Sequence, residues 1–168
     1  EKEIMVEYQD NFLTEEEYQK IYNLMTSDNI SWYYTPNITF PKENASNNLF
    51  YMTHHFYNDD RPLSAYFDSH IFPMFQKKLK ARTIIRVKGN LYPSQNKLSQ
   101  HKPHTDYAYE HKAAIYCINT CDGYTMFEDG KTISSVANRL ITFDGSIEHA
   151  STDCTNAKSR ININFNYL

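Results

Sequence analysis

With 168 residues, 19.8 kDa and a hydrophobic fraction of 40%, the chain is long enough for one domain with its own core and too apolar to stay disordered. Four glycines with no G-x-G-x-x-G or Walker pattern exclude glycine-rich phosphate loops, and a net charge of −3 with a pI near 6.2 argues against a dedicated nucleic-acid binder. Cys117, Cys121 and Cys154 are odd in number and lack a C-x-x-C pair, which argues against a disulfide framework and leaves Cys117 and Cys121 as half a zinc site at most.

No apolar run reaches transmembrane length and no signal-peptide core is present, so a cytoplasmic protein with no membrane partner is expected. The sequence opens on Glu1 rather than Met, which leaves a removed targeting segment open.

In chain order, Ile4 to Tyr8 reads as a short strand. Thr14-Glu15-Glu16-Glu17 is a capping box, with Thr14 as N-cap and Glu17 at N3, and the helix it starts lines up Tyr18, Ile21, Tyr22 and Met25 before ending near Ser27-Asp28-Asn29. Ile30 to Thr35 has strand composition, residues 36–48 read as a loop or lid, and Leu49 to Tyr57 is an aromatic strand. Its adjacent His54 and His55 point to opposite faces and do not readily ligate one metal. Asn58 to Pro62 is a turn that starts a second helix, with Pro62 in its first turn and Pro73 as a kink point. The basic run from Lys77 to Arg82 reads as a solvated face at that helix's C-terminus.

From residue 83 the pattern changes to strands. In Ile84–Tyr92 the polar side chains Arg86, Lys88, Asn90 and Tyr92 share one face, and Ile85, Val87 and Leu91 share the other. In Arg160–Tyr167, Arg160, Asn162, Asn164 and Asn166 oppose Ile161, Ile163, Phe165 and Tyr167. The apolar faces suit a sheet packed on helices; the polar faces look into solvent or into a wet cavity. Shorter strands follow at Lys112–Asn119, Thr125–Phe127, Thr132–Val136 and Arg139–Phe143. Many short strands after two helices predict a mainly β protein, a double-sheet sandwich with flanking helices.

The chemistry lies in His104-Thr105-Asp106. Alternation places His104 and Asp106 on one side of an extended chain, and with His149 they supply two imidazoles and a carboxylate. That donor set is the 2-His-1-carboxylate facial triad of non-haem Fe(II) oxygenases, which leaves coordination positions open for substrate and O2. A 2-oxo acid that chelates such an iron leaves its distal carboxylate to be held, and the Arg160 guanidinium can grip it through two parallel charge-assisted hydrogen bonds. His101 has the wrong parity to share a face with His104, and His111, after Glu110 in a loop, reads as solvated.

From about Arg86 to Leu168 the chain resembles the 2-oxoglutarate- and Fe(II)-dependent oxygenases, and within them the small prolyl-4-hydroxylase-like branch that includes members encoded by phages and marine bacteria. The resemblance rests on Asn90-Leu91-Tyr92-Pro93, His104-Thr105-Asp106, Tyr116-Cys117-Ile118-Asn119, Asp122 to Phe127, Asn138 to Asp144, His149 and Ser159-Arg160-Ile161-Asn162, with Asp10 to Thr14 before the first helix. It implies a double-stranded β-helix core, a distorted jelly roll of cupin-like type. It also implies a single domain over 1–168, in which 1–82 supply helices and supporting strands and 83–168 carry the site. His104, Asp106 and His149 are implied as the Fe(II) ligands and Arg160 as the residue that binds 2-oxoglutarate. By the same resemblance Tyr92 would donate to that carboxylate with Asn90 nearby, and Asn162 would be a further polar contact. O2 is the co-substrate and ascorbate a candidate stimulant, in the cytoplasm of the cell or of a phage-infected host. A single glycine, Gly123, stands where relatives often pair two, and Cys117 stands where they can carry a tyrosine.

The activity this implies is hydroxylation of a C–H bond in a peptide or prolyl residue, an amino acid or a small metabolite, with succinate and CO2 as co-products. Residues 36–48 and 94–102 are the candidate closing loops. Oxidative nucleic-acid demethylation within the same superfamily is the first rival, echoed by Asn90-x-Tyr92 and Arg160-x-Asn162 but opposed by Asn166 and by the acidic charge. A non-catalytic β-sandwich binding module is the second.

Overall fold

The computed structural model describes residues 5–38 and 49–168. The N-terminal strand β1 (Val6–Gln9) leads into α1 (Glu15–Met25) through the expected capping box: the Thr14 hydroxyl accepts from the Glu17 amide, and the Glu17 carboxylate accepts from the Thr14 amide. Ile21, Leu24 and Met25 form its buried face. The next strand shrinks to β2 (Tyr33–Thr35), an edge strand with Tyr33 and Tyr34 exposed. Most of the expected lid, from residue 39 to 48, lies outside the described residues.

Strand β3 (Tyr51–Asn58) turns back into β4 (Arg61–Pro62) rather than into a helix. Asp59 and Asp60 both take positive φ, 52° and 58°, as a two-residue hairpin turn of type I′ requires. Pro62 is therefore a strand residue opposite Tyr57. The helical stretch begins after Ser64 and passes through a π-helical turn (Phe67–Ile71) straight into α2 (Phe72–Leu79). Pro73 follows that turn directly, where the widened backbone accommodates a residue without an N–H. Lys77 and Lys78 occupy the last turn, and the Lys78 ammonium sits 2.6 Å from Glu17 of α1.

The remaining strands are β5 (Ile84–Pro93), β6 (Lys112–Cys117), β7 (Tyr124–Phe127), β8 (Thr132–Ser134), β9 (Arg139–Asp144), β10 (His149–Ser151) and β11 (Ser159–Tyr167). They form an antiparallel sheet in the order β1-β9-β6-β11-β5-β3-β2, with β4 beside β3, and a second sheet in the order β10-β7-β8. Strands from both halves of the chain share the large sheet, since β1 pairs with β9 and β3 with β5.

Two apolar layers result. Ile161, Ile163, Phe165 and Tyr167 of β11 and Val87 of β5 pack with Ile21, Met25, Ile71 and Phe75 on the helix side of the sheet. Between the sheets lies a smaller cluster, including Ala113, Ile115, Cys117, Phe127, Ile141 and Phe143. Asn138 ties the N-terminal strand and helix to this frame. At φ 60°, its side chain accepts from the Leu13 amide, donates to the Leu13 carbonyl and accepts from the Tyr116 hydroxyl. No helix among the described residues is long and apolar enough to cross a membrane.

The polar faces of β5 and β11 answer the question their alternation left open. Asn90, Arg160, Asn162, Asn164 and Asn166 are all buried, and they look into the space between the two sheets rather than into solvent.

Candidate metal and co-substrate site

Two segments bring the triad together. His149 opens β10, and His104 pairs with it across an antiparallel bridge in which each amide donates 3.0 Å to the other's carbonyl. Asp106, two residues on, turns to the same side as His104, as alternation predicts. One donor atom from each of the three side chains falls within 4.8 Å of the others.

The ring orientations suit a metal ligand set. His149 Nδ1 faces the Ile147 carbonyl at 3.2 Å and His104 Nδ1 faces the Lys102 carbonyl at 3.4 Å. With each Nδ1 turned to a backbone carbonyl, both Nε2 atoms are left to face the space shared with Asp106, and such backbone partners are what fix the ring of a metal-bound histidine. His104 Nε2 stands 3.6 Å from Asp106 Oδ1. Burial pushes His149 below its ordinary pKa, which keeps it the neutral imidazole a metal needs.

Asp106 is held from both sides. Its Oδ1 meets Arg86 at 3.1 Å, and its Oδ2 accepts from Asn166 at 2.8 Å and from Asn164 at 3.3 Å. Burial opposes its charge, but the His104 imidazole, the Arg86 guanidinium and the Asn166 amide outweigh burial and hold the carboxyl well below the usual carboxylate range. The Asn166 amide also reaches His111 Nε2 at 3.2 Å, and His111 Nδ1 faces the Tyr109 carbonyl at 2.8 Å. His111 is thus buried, not solvated as its loop setting suggested; it packs so closely on Gly145 that a Cβ there would fall 2.1 Å from its ring.

At the other end of the cavity Arg160 is fully buried. Its guanidinium donates to Ser151 Oγ, to the Thr152 carbonyl at 2.9 Å and to Thr125 Oγ1 at 3.1 Å, while its Nε has no partner. The Ser151 and Thr125 hydroxyls line the cavity themselves, so the arginine's charge is presented together with them. Tyr92 lies opposite Arg160 in the β5–β11 register, its ring 5.9 Å from the guanidinium carbon and stacked on Tyr51 at 5.4 Å. Asn90 donates to Asn162 at 2.9 Å, and its own oxygen, buried, has no partner. Six of the seven side chains expected from the sequence, His104, Asp106, His149, Tyr92, Asn90 and Asn162, line one cavity, and Arg160 lies behind its wall on Ser151 and Thr125.

His101 is the residue the parity argument placed wrongly. It lines the same cavity, 5.1 Å from the Tyr92 ring, and neither of its nitrogens has a hydrogen-bond partner. Gln100 pairs with Thr152 but His104 pairs with His149, so the register slips by one residue across Pro103. A slip of one flips the side chains beyond it, which sets His101 and His104 on the same side. The proline was the readable signal, since a strand position without an N–H favours a bulge. The rest of the 94–102 segment is tied down: Ser94, Gln95 and Ser99 donate to Lys158, Cys154 and Asp153.

Cys117 and Tyr116 point to opposite sides, as expected. Tyr116 packs on the helix side with its hydroxyl on Asn138, and Cys117 lies between the sheets. All three cysteines are free and buried.

The donor set fits a first-row divalent ion: two neutral imidazoles and one carboxylate, each with an outer partner, in a cavity that also holds unpartnered buried polar atoms. No family model matches the sequence, and no curated protein is detectably similar to it. Solved structures are similar. A Pseudomonas putida prolyl-4-hydroxylase superimposes with a TM-score of 0.67 at 12% identity, over 98% of this chain and 92% of that one. An oxidoreductase of the 2OG-Fe(II) oxygenase family from Burkholderia pseudomallei gives 0.66 at 12% identity, over 98% and 84%. The viral collagen prolyl hydroxylase of Paramecium Bursaria Chlorella virus-1, in its 2OG complex, gives 0.61 at 14% identity, over 97% and 96%. The chain has the jelly-roll fold of the prolyl-4-hydroxylase-like 2-oxoglutarate/Fe(II) oxygenases.

Proposed function

We propose that this protein is a 2-oxoglutarate- and Fe(II)-dependent dioxygenase, working as one domain over residues 1–168. Its reaction hydroxylates a C–H bond of a peptide or prolyl residue, an amino acid or a small metabolite, with succinate and CO2 as co-products. The observation that carries this reading is the convergence of His104, Asp106 and His149 in a cavity whose far end is Arg160, on a fold shared with such oxygenases.

His104, His149 and Asp106 would hold the iron, while Asn164 and Asn166 hold Asp106 Oδ2 and so fix the carboxylate plane. Iron, when bound, supplies the activation of O2 and the oxidative decarboxylation of 2-oxoglutarate. Arg160, with the hydroxyls of Ser151, Thr125 and Tyr92, would receive the distal carboxylate of 2-oxoglutarate. Asn90, Asn162 and the neutral His101 supply the polar wall between the two ends. The stacked Tyr51 and Tyr92 rings exclude water from one side of that wall. A cytoplasmic setting fits its free thiols.

The test is anaerobic addition of Fe(II) and 2-oxoglutarate. A visible charge-transfer band is expected from the parent and no band from His104→Ala; absence of the band in the parent ends this reading. Succinate release stimulated by peptide pools, but not by methylated oligonucleotides, separates hydroxylation of a peptide from the demethylase alternative.

A further inference from the structure

The cavity carries more positive charge than the reaction described above uses. Lys88 lines it, Arg86 contacts Asp106 on its wall, and Arg160 backs Ser151 and Thr125 on the same wall, whereas Asp106 is the one carboxylate among the described residues that line it. Arg86 is committed to Asp106 at 3.1 Å. Arg160 stands at the far end beside Tyr92. Lys88 is left over. It lies opposite Asn164, one of the residues that hold Asp106, and neighbours β3 through its pairing with His55. Its ammonium is 5.7 Å from the centre of the Tyr51 ring, and among the described residues it has no hydrogen bond or ion pair.

Lys88 is half-buried; a partly desolvated ammonium without an anion is costly, and the cost falls when a carboxylate meets it. Burial, followed by repulsion from Arg86, pulls the Lys88 pKa down to about 8, which leaves it charged near neutrality yet short of a counter-ion. An iron dication and a 2-oxoglutarate dianion cancel each other's charge, so loading the site with both leaves this excess where it was. The distal carboxylate of 2-oxoglutarate goes to the Arg160 end, and its chelating end goes to the metal. The remaining ligand is the molecule to be oxidised.

We propose that Lys88 anchors the primary substrate through a carboxylate, so that the substrate class is a carboxylic acid, either free (an amino acid or small organic acid) or as an acidic side chain in a peptide. This rests on the oxygenase reading and narrows it: a neutral prolyl residue leaves Lys88 unanswered. A nucleic-acid strand is disfavoured because Lys88 is one half-buried cation on a cavity wall in an acidic protein, without the basic track a phosphate backbone requires.

The experiment compares the parent with Lys88→Met, which keeps the aliphatic stem against Tyr51. Both proteins are loaded with Mn(II), and 2-oxoglutarate affinity is measured first by thermal shift. The loaded proteins are then challenged with the free L-amino acids and C3–C5 carboxylic acids, with the amides of the same compounds, and with capped peptides containing Asp or Glu. Succinate release with Fe(II) is followed on the same panel.

At least one acid is expected to raise the parent's melting temperature and stimulate succinate release, with its amide at least tenfold weaker. Lys88→Met is expected to weaken that acid tenfold or more while binding 2-oxoglutarate within twofold of the parent. Response to the free acids or to the acidic peptides identifies the source of the carboxylate. The proposal is overturned if no acid acts, if a neutral prolyl peptide or an oligonucleotide stimulates both proteins equally, or if Lys88→Met loses 2-oxoglutarate affinity tenfold. A parent that shows no 2-oxoglutarate shift with Mn(II) overturns the oxygenase reading itself, and this proposal with it.

Discussion

Gly123 is where a single methyl group tests the Arg160 end of the cavity. A Cβ built there would fall 2.5 Å from the Asp153 carbonyl oxygen, 2.6 Å from Arg160 Cδ and 3.0 Å from Thr152 Oγ1. The first neighbour is backbone, and the second is the stem of a fully buried arginine whose head is pinned at three points. Gly123→Ala must therefore separate β7 from the segment after β10 or lift Arg160. Overpacking of this kind costs ~1–3 kcal/mol. For a chain of this size each kcal/mol lowers the melting temperature by roughly 2–4 °C, so a drop of about 2–12 °C is expected. A displaced guanidinium also loses a charge-assisted hydrogen bond to a bound carboxylate, worth ~1.5–3 kcal/mol, or roughly 10- to 100-fold in 2-oxoglutarate affinity. Thermal melts and a 2-oxoglutarate titration with Mn(II) measure both effects. Gly130→Ala is the control: its Cβ meets nothing within 4 Å, but φ is +82°, so it costs roughly 1–2 kcal/mol of stability and leaves the affinity alone. A Gly123→Ala protein that melts within about 1 °C of the parent and binds 2-oxoglutarate equally well refutes the placement of Arg160.

Three further outcomes are expected. Asn138→Ala strands the Leu13 amide and carbonyl and the Tyr116 hydroxyl and leaves alanine at φ 60°, so urea unfolding should show a loss of about 3–5 kcal/mol; a loss below about 1 would contradict the clasp. Burial depresses His101 to about 4, so below roughly pH 6.5 the unfolded chain takes up a proton that the folded one refuses, and stability is lost from there down to about pH 4. His101→Phe, with its ring still on Tyr92, should therefore lose ~2 kcal/mol less than the parent between pH 7.5 and pH 5, whereas equal pH slopes would show that His101 is not the group responsible. Thr14→Ala removes the N-cap of α1 and should cost ~1 kcal/mol in the same unfolding assay, with 2-oxoglutarate binding unaffected.

Local rules read much of this protein because its elements obey them. Strict alternation in β5 and β11 put Arg86, Lys88, Asn90 and Tyr92 on one wall and Arg160, Asn162, Asn164 and Asn166 on the next, and the triad told which space those walls enclose. The rules failed where one residue changed the count. The slip across Pro103 turned His101 inward, and the two-aspartate turn converted an expected helix start at Pro62 into the strand β4. His111 was misjudged for a different reason. Its burial comes from Gly145 and Asn166, partners that no window around residue 111 contains. The Arg86–Asp106 pair is likewise long-range: both residues were visible, but their meeting depends on how the segment after β5 folds back over it.

The pairing of β1 with β9, and the Asn138 clasp beside it, set an order of events on the ribosome. Val6 to Gln9 are made more than a hundred residues before their partners Leu140 to Phe143. Leu13 waits equally long for Asn138. Until then the nascent chain has an unpaired strand and a helix without its full seat, while β5 waits for β11 to close its other edge. Such distant contacts make folding slow and leave strand edges open meanwhile. The sheet that carries the outer partners of Asp106 is joined only when β11 is made, so removal of that strand takes Arg160, Asn164 and Asn166 together with the pairing of both β5 and β6.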